Sequence, residues 1–175
     1  MNIVLIGMPG SGKSTVGRSL ARRLQRPFFD SDTVIEQRLG CSIRAFFEAE
    51  GEAAFRDVEQ DVIDTLTQET GAVLATGGGA VLRAENRRHL HERGTVIYLR
   101  TSPEQLYRRL RHDTKRPLLQ GPEPFKRLQA LYTERDPLYR ECAHYVLDAH
   151  GTSLAMLTGR IVMQLELMGH LPAQP

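Results

Sequence analysis

A chain of 175 residues is long enough for one domain with a substantial core, and no linker or break in composition divides it. We therefore expect a single domain over residues 1–175. Its hydrophobic (41%) and charged (25%) fractions are typical of a soluble protein, and no apolar run is long enough to span a membrane. A net charge of +2, with arginines spread along the chain, argues against a nucleic-acid partner and favours small anions.

The sequence shows no targeting segment and no metal or redox site built from cysteine and histidine. We expect the first strand to begin at residue 2, which leaves no room for a signal or transit peptide. Cys41 and Cys142 have neither metal-site nor redox spacing, and the six histidines form no ligand pattern. We therefore expect reduced thiols in a cytoplasmic protein.

Residues 7–14 read GMPGSGKS, which fits the phosphate-binding pattern GxxxxGK[ST], and they follow a short apolar run at residues 3–6. In such a loop the backbone N–H groups point at phosphate oxygens, Lys13 reaches the β- and γ-phosphates, and the Ser14 hydroxyl completes a Mg²⁺ shell. Helical periodicity from Lys13 onward predicts a helix whose positive end faces the same anion. The expected phosphate contacts are Gly10, Ser11, Gly12, Lys13, Ser14 and Thr15.

Five short apolar runs alternate with longer segments of helical periodicity, which is the pattern of a parallel sheet covered by helices. The predicted strands are residues 3–6, 27–29, 72–75, 96–99 and 145–147. We therefore predict an α/β fold of three layers, α/β/α, around a five-stranded parallel sheet. Two segments depart from this alternation. Residues 33–70 predict an extra helical lobe, and residues 112–124 predict a loop of the length at which lids occur.

Two aspartates follow the second predicted strand, at the end of the sheet where such folds place their sites. Asp30 and Asp32 would share one side of the chain if the extended backbone continued through them. The third strand ends in Thr76 and Gly77 instead of a carboxylate, so we assign Asp30 to the metal, directly or through water, and Asp32 to the acceptor. The alternative is that one of them only caps a helix starting near Thr33.

Glycines and arginines supply the remaining candidates. Residues 77–79 are three glycines beyond a central strand, where bare N–H groups can bind a carboxylate or hydroxyl, although such a run can also be only a turn. Arg116 stands in the predicted lid, where a guanidinium would stabilise transition-state charge on the γ-phosphate. By position alone, Arg56 and Arg135 are not distinguishable from solvated helix arginines.

Six motifs stand in order along the chain: GMPGSGKST, FFDSDTVIE, GEAAFR ending at Arg56, TGGGA around Gly78, RPLL beginning at Arg116, and RDPLY beginning at Arg135. Together they resemble the shikimate kinase family, from the first strand to about Asp148. Many families share the first motif, whereas the other five in this order and spacing are specific. The resemblance implies the P-loop kinase fold of the nucleoside monophosphate kinases, with a substrate-binding lobe at about residues 33–60 and a lid at about residues 112–124.

The resemblance also implies an activity: ATP-dependent phosphorylation of the 3-hydroxyl of shikimate, with Mg²⁺ as cofactor, on the chorismate route to aromatic amino acids. Asp32 would then orient or deprotonate the attacking hydroxyl. Arg56 and Arg135 would pair with the shikimate carboxylate, whose two oxygens match a guanidinium fork. Gly78 and Gly79 would offer N–H groups beside that carboxylate.

The same resemblance places Arg116 on the transferring phosphate and Arg109 along the adenine. A backbone contact near Thr152 would complete the ATP site. The chain departs from the family at residues 151–154, which read GTSL where an adenine-packing Asn-Pro or Gln is common, and this leaves the base preference open. The expected partners are ATP and shikimate, bound by a monomer without nucleic acid or membrane.

Two other functions compete with this interpretation. A kinase of gluconate or of a nucleoside monophosphate would share the phosphate loop and the lid. A nucleotide acceptor would need a base pocket, whereas gluconate is a hydroxy acid and is harder to separate. A nucleotide-binding switch protein predicts an NKxD guanine motif, and the sequence contains none.

Overall fold

The computed structural model describes residues 1–112 and 120–172. Along this part of the chain one helix joins the first strand to the second and the third to the fourth, whereas three helices lie between the second and third strands and two between the fourth and fifth. The strands are β1 (Asn2–Ile6), β2 (Phe28–Asp30), β3 (Val73–Ala75), β4 (Gly94–Arg100) and β5 (Tyr145–Asp148). The helices are α1 (Lys13–Leu24), α2 (Ser31–Leu39), α3 (Ile43–Glu50), α4 (Glu52–Gln68), α5 (Ala84–Arg93), α6 (Pro103–Leu110), α7 (Pro124–Cys142) and α8 (Leu154–Leu167).

All five strands are parallel and lie in the order β2-β3-β1-β4-β5. Strand β1 is central, with Ile3 beside Val73 of β3 on one side and beside Thr95 of β4 on the other. This arrangement brings the carboxyl ends of β1, β2 and β3 together, so that the segments following these strands share one edge of the sheet.

The middle of the sheet is covered on both faces, which explains why β1 and β3 are buried at every position instead of alternating between buried and exposed residues. Val4 and Ile6 of β1 pack with α4, α5, α6 and α7 on one face. Ile3 and Leu5 pack with α1 and α8 on the other face. Each such side chain, when fully buried, stabilises the fold by about 1.5–3 kcal/mol. The predicted three-layer fold with a five-stranded parallel sheet is confirmed.

The boundary after β2 differs from the prediction. Asp30 is the last residue of β2, and α2 begins at Ser31 instead of near Thr33. The expectation of an extended backbone from Asp30 to Asp32 is therefore wrong. Asp30 is itself the N-cap, because its Oδ1 accepts hydrogen bonds from the N–H groups of Asp32 (2.9 Å) and Thr33 (3.4 Å).

The segment between β2 and β3 consists of helices α2, α3 and α4. These helices pack around a small cluster of their own, with Ile35, Phe55 and Val62 buried at its centre. In the described part of the predicted lid, α7 begins at Pro124, whereas residues 113–119, with Arg116, lie outside the described residues. Among the described helices, none is long and apolar enough to cross a membrane.

Candidate active site

A cavity of about 690 Å³ lies at the carboxyl ends of the strands. It brings together eleven of the predicted site residues, namely Gly10, Ser11, Gly12, Lys13, Ser14, Thr15, Asp30, Asp32, Gly78, Arg109 and Thr152. Arg56, Gly79 and Arg135 are not part of its lining, and they adjoin the end of the cavity formed by Asp32 and Gly78 through the contacts described below.

The phosphate loop forms one end of this cavity. Gly10 and Gly12 have φ angles of +81° and +90°, which glycine adopts without strain, and Gly12 is the N-cap of α1. Lys13 is buried, and its Nζ donates hydrogen bonds to the carbonyl oxygens of Gly7 (2.8 Å) and Met8 (2.9 Å). The loop therefore holds a cation beside backbone N–H groups at a helix N-terminus, as a phosphate site requires.

Asp30 connects the loop to the second strand. Its Oδ2 accepts a hydrogen bond from the Ser14 hydroxyl, while its Oδ1 caps α2. The alternative that one aspartate caps the helix is thus correct for Asp30, in addition to its contact with Ser14. Within residues 1–112 and 120–172, no three His, Cys, Asp or Glu side chains are grouped to hold a metal. The oxygen donors of Ser14 and Asp30 suit Mg²⁺, which usually takes few protein ligands and completes its shell with phosphates and water.

Asp32 lies against the glycine turn. A Cβ atom at Gly77 would stand 2.6 Å from Asp32 Oδ1, so only glycine leaves room for this carboxylate. The neighbouring Ser31 is buried, and its Oγ accepts a hydrogen bond from the Gly77 N–H at 3.2 Å. Burial, followed by the charge of Asp30, raises the pKa of Asp32. A carboxyl group in a cleft with a raised pKa is a candidate general base.

The next two glycines allow equally close approaches. A Cβ at Gly78 would lie 2.6 Å from the ring of Pro9 in the phosphate loop. A Cβ at Gly79 would lie 2.4 Å from the Arg56 guanidinium. The three glycines are therefore a turn, as the alternative interpretation held, but a turn at which a Cβ atom would displace the phosphate-loop proline or the Arg56 guanidinium from its present position.

The N–H groups of this turn are only partly used by the turn itself. Its internal hydrogen bonds are donated by Ala80 to the Gly77 carbonyl and by Leu82 to the Gly79 carbonyl, both at 3.1 Å. The N–H groups of Gly78 and Gly79 donate neither of these bonds. They are therefore candidates to bind an anionic group next to Arg56.

Arg56 is not a solvated surface arginine. Its side chain is 12% exposed, and Nη1 donates to Oε1 of Glu59 at 3.0 Å. Glu59 is 1% exposed, and its burial raises its pKa while the charge of Arg56 opposes that rise. A second carboxylate, Glu52, lies 3.5 Å from Arg56 Nε but is exposed. Sequence reasoning missed Glu59, although an acidic residue three positions after an arginine on a helix signals such a pair.

Arg135 joins the same cluster from α7. It is half-buried, and among the described residues its buried Nε has no hydrogen-bond partner. Its positive charge acts on Glu59 and on Tyr139, which places it at the Arg56 end of the site. Two positive charges thus act on one buried carboxylate, Glu59, and this favours binding of an additional anion.

The opposite end of the cavity lies near α6 and α8. Arg109 Nη1 donates to the Gly10 carbonyl at 3.0 Å, which lays this side chain across the phosphate loop. Thr152 Oγ1 donates to the His150 carbonyl at 3.1 Å, and Leu154 and Leu157 supply an apolar wall beside it. An apolar surface next to the phosphate loop suits a nucleotide base.

The fold and this site together define a kinase of the phosphate-loop class, with a phosphate loop, an adjacent carboxylate and a separate cluster of arginines. Comparison with known proteins identifies the family. Residues 9–166 match the family model described as shikimate kinase. A shikimate kinase of Paracidovorax citrulli is 60% identical over 178 residues, which cover 100% of this chain and 97% of that protein. One of Burkholderia pseudomallei is 56% identical, over 97% of this chain and 92% of that protein.

The solved structures agree. A shikimate kinase from Acinetobacter baumannii, determined in complex with shikimate, superimposes with a TM-score of 0.90 and is 46% identical, covering 97% of this chain and 94% of that chain. The chain belongs to the shikimate kinase family and is an ATP-dependent kinase. The family predicted from the six motifs is confirmed, and a switch protein is excluded.

Proposed function

We propose that this protein transfers the γ-phosphoryl group of ATP to the 3-hydroxyl of shikimate, giving shikimate 3-phosphate and ADP. The observation that carries the proposal is the placement of Asp32 and Arg56 against Gly77 and Gly79, two residues apart on one turn. A small acid with a hydroxyl at one end and a carboxylate at the other suits this pairing. The shikimate bound in the Acinetobacter baumannii relative supports the same acceptor.

Asp32 receives the proton of the attacking hydroxyl in this proposal. A bond forms between that oxygen and the γ-phosphorus, the bond from the γ-phosphorus to the bridging oxygen breaks, and ADP leaves. Phosphoryl transfer passes through a loose transition state with charge on the equatorial oxygens, so catalysis depends on alignment and on positive charge around those oxygens. Lys13 and the lid residue Arg116 supply that charge.

In this proposal the acceptor carboxylate binds at the end of the glycine turn that lies away from Asp32. Arg56 and Arg135 pair with the shikimate carboxylate, and the N–H groups of Gly78 and Gly79 donate beside them. Burial of Arg56 against Glu59 supports this role, because a fixed guanidinium loses less freedom on binding than a solvated one.

The metal and nucleotide contacts complete the proposal. Ser14 would bind Mg²⁺, and Asp30 would bind it directly or through water. Mg²⁺, when bound, neutralises charge on the β- and γ-phosphates. Gly10, Ser11, Gly12 and Thr15 would bind the phosphates, with Arg109 and Thr152 nearer the base. Residues 33–60 would form the substrate-binding lobe and residues 112–124 the lid of a single domain.

We also propose that the protein is a monomer and that it works in the cytoplasm. The cytoplasmic location agrees with the free thiols of Cys41 and Cys142.

A coupled ADP assay with shikimate, gluconate and nucleoside monophosphates tests the acceptor directly. We expect kcat/KM for shikimate to exceed that for every other acceptor by at least about 100-fold, the discrimination that buried polar contacts can supply. Comparable or better turnover of gluconate would contradict the proposed acceptor.

A further inference from the structure

Tyr139 is a buried residue that the proposed mechanism does not use. It lies on α7, is fully buried, and packs its ring against that of Tyr98 with centroids 4.9 Å apart. Its hydroxyl donates a hydrogen bond to the Gly78 carbonyl at 2.6 Å. The bond joins α7 to a glycine turn 61 residues earlier in the chain, at the residue that lines the cavity.

This hydrogen bond controls a particular N–H group. The Gly78 carbonyl and the Gly79 N–H belong to one planar peptide unit, and within the described residues no peptide bond is cis. In a trans unit the carbonyl and the N–H point in opposite directions, so fixing the Gly78 oxygen also fixes the direction of the Gly79 N–H. A hydrogen bond accepted by the carbonyl also polarises the unit and makes its N–H a stronger donor.

Arg135 is the charged residue of this cluster that shares α7 with Tyr139. Arg135 precedes Tyr139 by four residues on α7, so that the two side chains lie on one face of the helix. The positive charge of Arg135 favours a lower pKa of the Tyr139 phenol. Burial nevertheless outweighs Arg135 and raises the pKa of Tyr139, so the phenol stays protonated and remains a donor. Its oxygen can therefore accept from Arg135 while its proton goes to the Gly78 carbonyl.

We propose that Tyr139 is a positioning residue for the acceptor carboxylate, holding the Gly79 N–H and the Arg135 guanidinium in one arrangement. The inference rests on the proposed function and deepens it. It assigns to the tyrosine of the RDPLY motif a part in selecting acceptors that carry a carboxylate. Tyr139 touches neither the phosphate loop nor Asp32 in the described contacts, so its effect belongs to acceptor binding and not to ATP binding.

Tyr139→Phe tests the proposal, because phenylalanine keeps the ring packing and removes only the hydroxyl. We expect KM for shikimate to rise about 10-fold, the equivalent of one lost hydrogen bond to a charged group, with KM for ATP within about two-fold of wild type. Tyr132→Phe is the matched control. Tyr132 lies on the same helix, and its hydroxyl accepts a hydrogen bond from Arg100 at 2.8 Å, so its removal should leave KM for shikimate unchanged.

A second acceptor separates positioning from a general loss of structure. The analogue with a hydroxymethyl group in place of the carboxylate should show the same KM in Tyr139→Phe as in wild type. The ratio of the two KM values does not depend on the fraction of folded enzyme. An equal rise for both acceptors, or an unchanged KM for shikimate, would overturn the inference.

Two further measurements complete the test. In a cycle with Arg135→Ala, the effects of the two substitutions on KM should be less than additive, and full additivity would contradict the coupling. In wild type, the Gly79 amide proton should shift downfield on addition of shikimate, and no shift would also contradict the proposal. Wild-type protein that does not bind shikimate would overturn the proposed function itself, which distinguishes the two failures.

Discussion

The Ser14 hydroxyl donates a hydrogen bond to the Asp30 carboxylate, which joins the start of α1 to the end of β2. A serine whose proton is held by a carboxylate keeps its lone pairs for a cation. Both residues line the cavity, at the place where we propose that Mg²⁺ binds. Asp30 therefore combines two tasks, since its second oxygen caps α2.

The two tasks of Asp30 can be separated by Asp30→Asn. Asparagine caps helices about as well as aspartate, so thermal stability should change little. The loss of charge should raise the Mg²⁺ concentration for half-maximal activity by about 10-fold or more, the usual effect of losing a partner of a metal ligand. A magnesium titration with a melting curve checks both expectations, and Glu36→Gln on α2 serves as the control. An unchanged Mg²⁺ requirement would show that Asp30 only caps the helix.

Asp32→Asn should lower kcat by about 10²–10⁴-fold, the range that general acid–base catalysis contributes. Asparagine retains the shape of the side chain but cannot accept the proton of the attacking hydroxyl. The dissociation constant for ATP should stay near that of wild type, because the phosphate loop is intact. Steady-state kinetics and equilibrium ATP binding provide the two measurements. A variant with full activity would remove Asp32 from the proposed mechanism.

The pH profile of kcat/KM for shikimate should show an acid limb that belongs to Asp32. Burial, Asp30 and Glu36 raise the pKa of Asp32, while Lys13 and Arg56 oppose them, and the net direction is upward. As the pH falls through this raised pKa, Asp32 becomes protonated and activity declines, at a pH above that at which an ordinary aspartate titrates. Asp30→Asn removes a like charge and should move the limb to lower pH. Coincident limbs in the two proteins would contradict this assignment.

Arg56 has two acidic partners, and they should differ in importance. Glu59→Gln leaves a buried guanidinium without its ion pair, and we expect unfolding free energy to fall by about 1.5–3 kcal/mol, as for a hydrogen bond to a charged group. KM for shikimate should rise as well, because Arg56 is no longer held beside Gly79. Glu52→Gln is the control, since this exposed carboxylate contributes little. Urea denaturation of both variants measures the unfolding free energy, and steady-state kinetics measures KM for shikimate. Equal effects would show that burial of Glu59 has no special role.

Much of this architecture follows from patterns of neighbouring residues. The β1 run is apolar at every position because both faces of the sheet are covered, so Ile3 and Val4 are equally buried. The sequence leaves the first residue of α2 ambiguous, because Asp30 fits both the end of a strand and a helix cap. The structure shows that it is both.

Other features depend on contacts that no local pattern contains. Nothing near Tyr139 in the sequence indicates that its hydroxyl reaches Gly78, because the contact requires α7 to pack against the sheet. The burial of Arg56 likewise depends on the tertiary fit of α4 to Gly79. The family motifs predict that Arg56 and Arg135 bind the acceptor carboxylate, whereas their positions on helices predict no partner for either.

The glycine turn at residues 77–79 limits how this enzyme can be redesigned. Its three missing Cβ atoms make room for Asp32, Pro9 and Arg56 in turn, so a side chain added at any of the three would displace one of these residues. An engineer who wants a bulkier or differently charged acceptor should therefore work from α2, α4 and α7, which carry Asp32, Arg56 and Arg135. Libraries that leave the turn fixed and vary those helices should retain far more folded, active members than libraries that include it.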